Sequence, residues 1–343
     1  MSSIDFTELF ATITTATEDS WTTVDLTSLG VPDNAVVVVL MEHKTDGVAG
    51  TCGVREVGSS LDRYFALHEP EGGGSTSTVM HVQSNATASI QYYKDDSASV
   101  FTLLGWYGAG ITYTEEMTLH EPTVAGWRET AVGQNNTVFE FSCQNITDGQ
   151  TAGVGSRKVG SSINRFLEIH EPEPSGINSY TSYTQSDGSG NVELYTANAY
   201  GQLYRLGYFS SNIQMTEIIE NAEPFSDGTW WEKTALADHE NTVALISCMH
   251  QSTGSEELTG ARGGASAVAR YWSEHESETD QYTGDTLPVL VDSGGKYDTY
   301  FGDASDASFL CLGYLYDTGS APAAVAPTSV LYGPLCGPLA GPI

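Results

Sequence analysis

The sequence predicts an all-β chain of three tandem jelly-roll-like β-sandwich domains of about 105 residues each, followed by an extended C-terminal arm. Three observations predict it. The chain repeats itself three times. Short β-rich runs alternate with Gly, Asn and Asp clusters every 8 to 12 residues, the spacing of a sandwich or barrel. Apart from a weak trace in the first dozen residues, no stretch carries the 3.6-residue period of a helix.

The repeat is carried by a long phrase. Gly53-Val-Arg55-Glu-Val-Gly58-Ser59-Ser60-Leu-Asp-Arg63-Tyr64 runs on to His68-Glu69-Pro70-Glu71. It returns as Ser156-Arg157-Lys-Val-Gly160-Ser161-Ser162-Ile-Asn-Arg165-Phe166, then His170-Glu171-Pro172. A worn third copy reads Ala261-Arg262, Ala265-Ser266, Arg270-Tyr271, then His275-Glu276-Ser277. The Arg-to-Arg step is 8 and the Arg-to-His step is 5 in every copy. Trp21, Trp127 and Trp231 open the units, and Gly105-Trp106-Tyr107, Gly207-Tyr208-Phe209 and Gly313-Tyr314-Leu315 close them. A period near 100 residues suits a small domain with its own core better than a solenoid unit.

The elements follow in order. Residues 1–20 form a lead segment. The first sandwich spans 21–120, the second 121–225 and the third 226–317. Ala35 to Met41 is short, apolar and β-branched, as a core strand should be. In the second unit Thr137–Cys143 and Arg165–His170 alternate, and Ser179–Thr184, Val192–Tyr195, Leu203–Tyr208 and Ile213–Ile219 complete the set. Acidic, proline-bearing connectors, Thr118–Pro122 and Glu220–Pro224, join the units and are too short for free motion. Residues 318–343 form a Pro/Gly/Ala-rich arm, whose prolines exclude helix and central strand. An arm of this kind suits contact with a neighbouring subunit or partner.

Charge bounds the function. Acidic residues outnumber basic ones 44 to 13, a net charge of −31. Such a surface offers no basic patch for nucleic acid and no attraction to anionic membranes. Self-repulsion of this size is screened in molar salt, where the Debye length falls to about 3 Å. Scarce lysine and abundant Ser, Thr and Gly make the composition resemble that of salt-loving archaea and their viruses. No secretory leader and no membrane span are visible, so the chain is expected to stay in the cytoplasm where it is made.

Six of the eight arginines belong to the repeated phrase: Arg55, Arg63, Arg157, Arg165, Arg262 and Arg270. A guanidinium fork suits partly buried pairing with carboxylate, and Glu69, Glu171 and Glu276 are the in-phrase partners. With His68, His170 and His275 they form a repeated structural cluster. Neighbouring residues on a strand face opposite ways, so each His-Glu pair does not converge as a catalytic or metal pair would. The paired serines read as a turn, because no helix supplies a nucleophile elbow. Asp187-Gly-Ser-Gly-Asn191 imitates a calcium loop but lacks its glycine and its final glutamate, and reads as a hairpin turn. The five cysteines show no CxxC pair; Cys143 and Cys248 match Met41 in phase, which points to a buried apolar site. No cofactor is expected; weak binding of Ca²⁺, Mg²⁺ or Na⁺ by surface carboxylates stays open.

The phrase G-x-R-x-V-G-S-S-x-x-R-[YF] with its following His-Glu resembles β-sandwich (jelly-roll) repeats in structural proteins of tailed viruses. It covers residues 20 to 316, and the third copy departs from it at Gly58 and the serine pair. The resemblance implies a non-enzymatic virion protein of a halophilic archaeal virus, a capsid turret or decoration protein, assembling with itself as a trimer or pentamer and with other virion proteins. A tail-fibre or host-adhesion module is the alternative, with Tyr180, Tyr183, Tyr195, Tyr200, Tyr204 and Tyr208 offering rings to a surface glycan or S-layer. A jelly-roll capsid protein or a polymer-degrading enzyme comes lower.

Overall fold

The computed structural model describes residues 3–318, apart from 16, 45–47, 70–74, 109, 122–123, 147–149, 172–176, 211, 223–226, 251–256, 275–282 and 303–306. Its regular structure is strand, with one 3-10 turn at Thr27–Leu29. The strands fall into three sets of eight. The first set is β1 (Phe6–Ile13), β2 (Thr22–Asp25), β3 (Val36–His43), β4 (Val48–Glu56), β5 (Tyr64–Glu69), β6 (Thr76–Gln83), β7 (Ser89–Lys94) and β8 (Ser99–Tyr107). The second is β9 (Tyr113–His120), β10 (Gly126–Ala131), β11 (Val138–Asn145), β12 (Gln150–Lys158), β13 (Phe166–Glu171), β14 (Asn178–Gln185), β15 (Asn191–Thr196) and β16 (Gly201–Phe209). The third is β17 (Ile213–Asn221), β18 (Trp231–Thr234), β19 (Val243–His250), β20 (Glu257–Gly263), β21 (Tyr271–Glu274), β22 (Thr283–Leu290), β23 (Lys296–Phe301) and β24 (Ala307–Asp317).

Each set makes two four-stranded antiparallel sheets. In the first set their orders are β1-β8-β3-β6 and β2-β7-β4-β5, and the other two sets repeat this pattern strand for strand. This is the strand order of a jelly roll. The pairing moves the phase of the units relative to the sequence reading. The lead segment holds β1, which pairs with β8. Thr118–His120 and Glu220–Asn221 are not connectors but the ends of β9 and β17, the first strands of the second and third sets. A strand's composition does not say which sheet it joins, so Ile213–Ile219 looks like the close of one unit and is the opening of the next.

The inner sheets are those holding β3, β11 and β19, and these three strands are buried on both faces. Alternation along β3 shows why its sequence is a continuous apolar run. Val37, Val39 and Met41 enter the core of the first set, whereas Val36, Val38 and Leu40 enter a core shared with the other two. Met41, Cys143 and Cys248 occupy the expected buried position. At its far edge each inner sheet presents one strand, β6, β14 or β22, and each of these three strands contacts the other two. The three sets therefore surround one axis as a compact pseudo-threefold ring.

Candidate functional site

The second arginine of each repeat sits at a junction between sets. Arg63 Nη1 lies 3.0 Å from Glu115 Oε1, Arg165 Nη1 lies 3.2 Å from Glu217 Oε1, and Arg270 Nη1 lies 3.0 Å from Glu8 Oε1. The arginine side chains are 0–1% exposed and the glutamates 5–7%. Each glutamate lies on the first strand of another set: set one pairs with set two, two with three, and three returns to one. The third pair joins residues 262 apart and closes the ring. The carboxylates that meet the second arginines are thus chain-distant ones. The side chains of Glu69 and Glu171 lie outside the described residues, as do His275 and Glu276 altogether, while His68 and His170 are buried.

Local structure explains the geometry. Glu8, Glu115 and Glu217 stand opposite Gly105, Gly207 and Gly313, where the strand register shifts. A Cβ on Gly105 would meet Thr7 O at 2.3 Å, and one on Gly207 would meet Thr114 O at 2.4 Å, so only glycine lets the glutamate-bearing strand approach. The glutamates also accept backbone N–H groups from the phrase: Glu56 to Glu115 at 2.7 Å, Lys158 to Glu217 at 2.8 Å and Gly263 to Glu8 at 2.9 Å. Each arginine donates in turn to a carbonyl of the axial strand, His81, Tyr183 or Pro288. The serines make the turn that holds this in place: Leu61, Ile163 and Val268 N–H donate to Ser59, Ser161 and Ser266 Oγ at 3.2–3.3 Å. The worn third copy keeps the turn through Ser266. Burial outweighs the arginine and holds the Glu115 carboxyl above its usual range. Shallow clefts of about 390 and 240 Å³ open beside two of these turns, at Ser59–Glu115 and Ser266–Glu8.

The first arginines do a different task on the outer sheets. Arg55, Arg157 and Arg262 lie over the rings of Trp21, Trp127 and Trp230 at 4.0, 4.0 and 4.1 Å. Their Nε atoms donate to Gln91, Glu193 and Asp298. Trp230, not Trp231, is therefore the third equivalent tryptophan; adjacent tryptophans leave the sequence ambiguous and strand register decides. Beside each one, two rings from neighbouring strands stack over a glycine: Tyr64 and Tyr93 at Gly53, Phe166 and Tyr195 at Gly155, Tyr271 and Tyr300 at Gly260.

On the axis the three-fold pattern converges on one carboxylate. Val79, Thr181 and Thr286 occupy equivalent places on β6, β14 and β22, and all three N–H groups donate to Asp285. Thr181 Oγ1 donates to Val79 O at 2.7 Å, and Thr283 Oγ1 to Asn178 Oδ1 at 3.1 Å. Burial pushes the Asp285 carboxyl up to about 7, against the pull of its N–H donors. A second buried network marks the first junction alone. His81 Nδ1 lies 2.9 Å from Glu140 Oε1, Tyr113 OH donates to Glu140 Oε2, and Tyr107 OH is 3.3 Å from His81 Nε2.

The sequence reading missed Glu8, Glu115 and Glu217. A signal existed: each follows a bulky apolar residue and a threonine, in Phe6-Thr7-Glu8, Tyr113-Thr114-Glu115 and Met215-Thr216-Glu217. The six tyrosines proposed for a glycan do not share a surface. Tyr180 and Tyr183 are core residues, Tyr204 packs on Phe65, Tyr208 on Phe139, Tyr195 belongs to an aromatic stack, and Tyr200 is exposed. Asp187 makes a hairpin turn, accepting Ser189 and Asn191 N–H. Among the described residues, no three or more His, Cys, Asp or Glu side chains gather as metal ligands would.

No family model and no curated protein matches the chain. Among solved structures, a chain from the Sulfolobus turreted icosahedral virus is 8% identical, with 92% of this chain and 91% of that one aligned and a TM-score of 0.23. A chain from an archaeal virus described by its triple jelly-roll fold and turret assembly is 8% identical over 91% and 89%, with a TM-score of 0.22. The tandem CBM22-1–CBM22-2 unit of Paenibacillus barcinonensis Xyn10C is 10% identical over 55% and 82%, with a TM-score of 0.15. Superpositions at this level carry no argument for function by themselves.

Proposed function

We propose that the chain is a non-enzymatic virion structural protein, a turret or decoration block of an archaeal virus from a salty habitat, built as three jelly-roll domains in one chain. The observation that carries this reading is the closed circuit of arginine–glutamate pairs. Repeated residues are spent on fixing three similar units around an axis, so the repeat serves architecture. A block of this shape presents similar faces in three directions, which suits packing into a symmetric shell or tower. An acidic exterior keeps such blocks apart in dilute salt and lets them approach when salt screens the charge. Self-assembly, with trimers or pentamers as the expected forms, follows from that design. The sugar-binding alternative has less support, because two of its six tyrosines, Tyr180 and Tyr183, are core residues.

Light scattering of the purified chain across a salt series tests the proposal. A discrete multimer that appears toward molar salt is expected. A monomer at every salt concentration contradicts it.

A further inference from the structure

The outer sheets carry a feature that ring closure does not require. Two stacked rings suffice to cover Gly53, Gly155 or Gly260. Each unit adds a tryptophan and a stacked arginine, which carry the aromatic strip across the four strands to the edge strand. These rings are half-buried on the outward face, with Tyr64 37% exposed. A four-stranded sheet is about 14 Å across from first strand to last. The arginines donate to Gln91, Glu193 and Asp298; Glu193 and Asp298 neutralise the second and third, and Asp62 Oδ1 lies 3.9 Å from the first, so the platforms present flat apolar rings beside engaged guanidinium groups.

One part of the chain matches these platforms. Residues 318–343 contain no Asp, Glu, Lys or Arg in a chain of net charge −31. This is the stretch that approaches a second copy with least repulsion. It contains Gly333-Pro334-Leu335-Cys336, Gly337-Pro338-Leu339-Ala340 and Gly341-Pro342-Ile343, a four-residue period. In a polyproline II helix residues three apart share a face about 9 Å apart, which would put Leu335 with Pro338, and Leu339 with Pro342, within the width of one platform. Proline rings on aromatic rings are a standard mode of peptide recognition. The 25 residues after Thr318 would reach about 78 Å if extended in this form, enough to cross to a neighbour.

We infer that the three outward platforms, Trp21–Tyr93–Tyr64, Trp127–Tyr195–Phe166 and Trp230–Tyr300–Tyr271, are docking sites for the Gly-Pro-Leu segment of a neighbouring copy. This rests on the self-assembling reading above and names the contact that drives it. Two full-length variants and one peptide test it in molar salt. The first variant carries Trp21→Ser, Trp127→Ser and Trp230→Ser; the second carries Pro334→Ser, Pro338→Ser and Pro342→Ser. Both should lose association by roughly tenfold or more while keeping the far-ultraviolet circular dichroism of the parent. The synthetic peptide 321–343 should change the tryptophan fluorescence of the proline variant, whose platforms are vacant. The proline changes touch none of the described residues, so this arm of the test holds even if the tryptophan variant fails to fold. Undiminished association of the proline variant, or a peptide that leaves its fluorescence unchanged, overturns the docking. A monomeric parent whose proline variant still responds to the peptide contradicts the assembly reading and supports the docking.

Discussion

Arg63, Arg165 and Arg270 each place a guanidinium where water does not reach. A buried charge without its partner is costly, so these pairs are best judged by what happens when half of one is removed. Arg270→Ala, which strands Glu8, should cost about 3–5 kcal/mol in denaturant titrations. Replacing both partners with methionine should recover much of that loss, since an apolar pair of similar volume avoids the desolvation cost. Arg55→Ala, on the half-exposed outer face, should cost about 1 kcal/mol, the worth of a surface cation–π contact. Asp285 makes a sharper test. Its folded carboxyl titrates near 7, above the 3.8 of an unhindered one, so the folded state keeps a proton that the unfolded state releases. Its contribution is therefore fully present below about pH 4, shrinks as pH rises toward 7 and is flat beyond. The loss amounts to roughly 4 kcal/mol at one unit per 1.36 kcal/mol. Thermal midpoints from pH 4 to 8 should fall more steeply in the parent than in Asp285→Asn; parallel profiles would contradict this.

Strand elements show two kinds of glycine, and substitution should separate them. Gly155 faces Arg165 O, which a Cβ would approach to 2.1 Å, while Gly160 has φ +75° in an open turn with nothing within 4 Å. Gly155→Ala should therefore cost clearly more than Gly160→Ala, for which about 1 kcal/mol of backbone strain is expected. Differential scanning calorimetry of the two variants decides it. The element scale also shows what could be read beforehand. The strands, the turns and the buried Met41, Cys143 and Cys248 set were legible, because alternation and turn residues are local signals. The phase of the units was not, since β1, β9 and β17 owe their sheet to partners about 100 residues away. Strand β14 misled for a related reason: Tyr180 and Tyr183 look available to a ligand, yet both are buried, with Tyr180 OH donating to Val154 O and Tyr183 OH 3.4 Å from His81 Nδ1. The rarity of arginine singled out Arg63, Arg165 and Arg270, but not the chain-distant glutamates that pair with them.

At the scale of the whole molecule, −31 charges sit on a ring held by buried contacts. Added salt should raise its thermal midpoint steadily toward the molar range, as screening relieves repulsion while leaving the buried pairs intact. Thiol reactivity gives a second global probe. Burial pushes Cys143 and Cys311 up to about 12 and raises Cys52 and Cys248 as well, so none of these four should react with a thiol reagent until the ring opens.

The central claim is that the three sets close on themselves, with set three seated against set one as firmly as set one against set two. The chain crosses from Tyr107 to Tyr113 and from Phe209 to Met215 in six steps each, between equivalent strand positions. Leu315 and Phe6 are the corresponding pair at the third junction. A circular permutant that joins Leu315 to Phe6 through five residues, and opens the chain at 210–212, measures the closure directly. A ring predicts a folded permutant with the parent's circular dichroism and a thermal midpoint within a few degrees. A permutant that fails to fold, while the same cut without rejoining leaves soluble fragments, would contradict it.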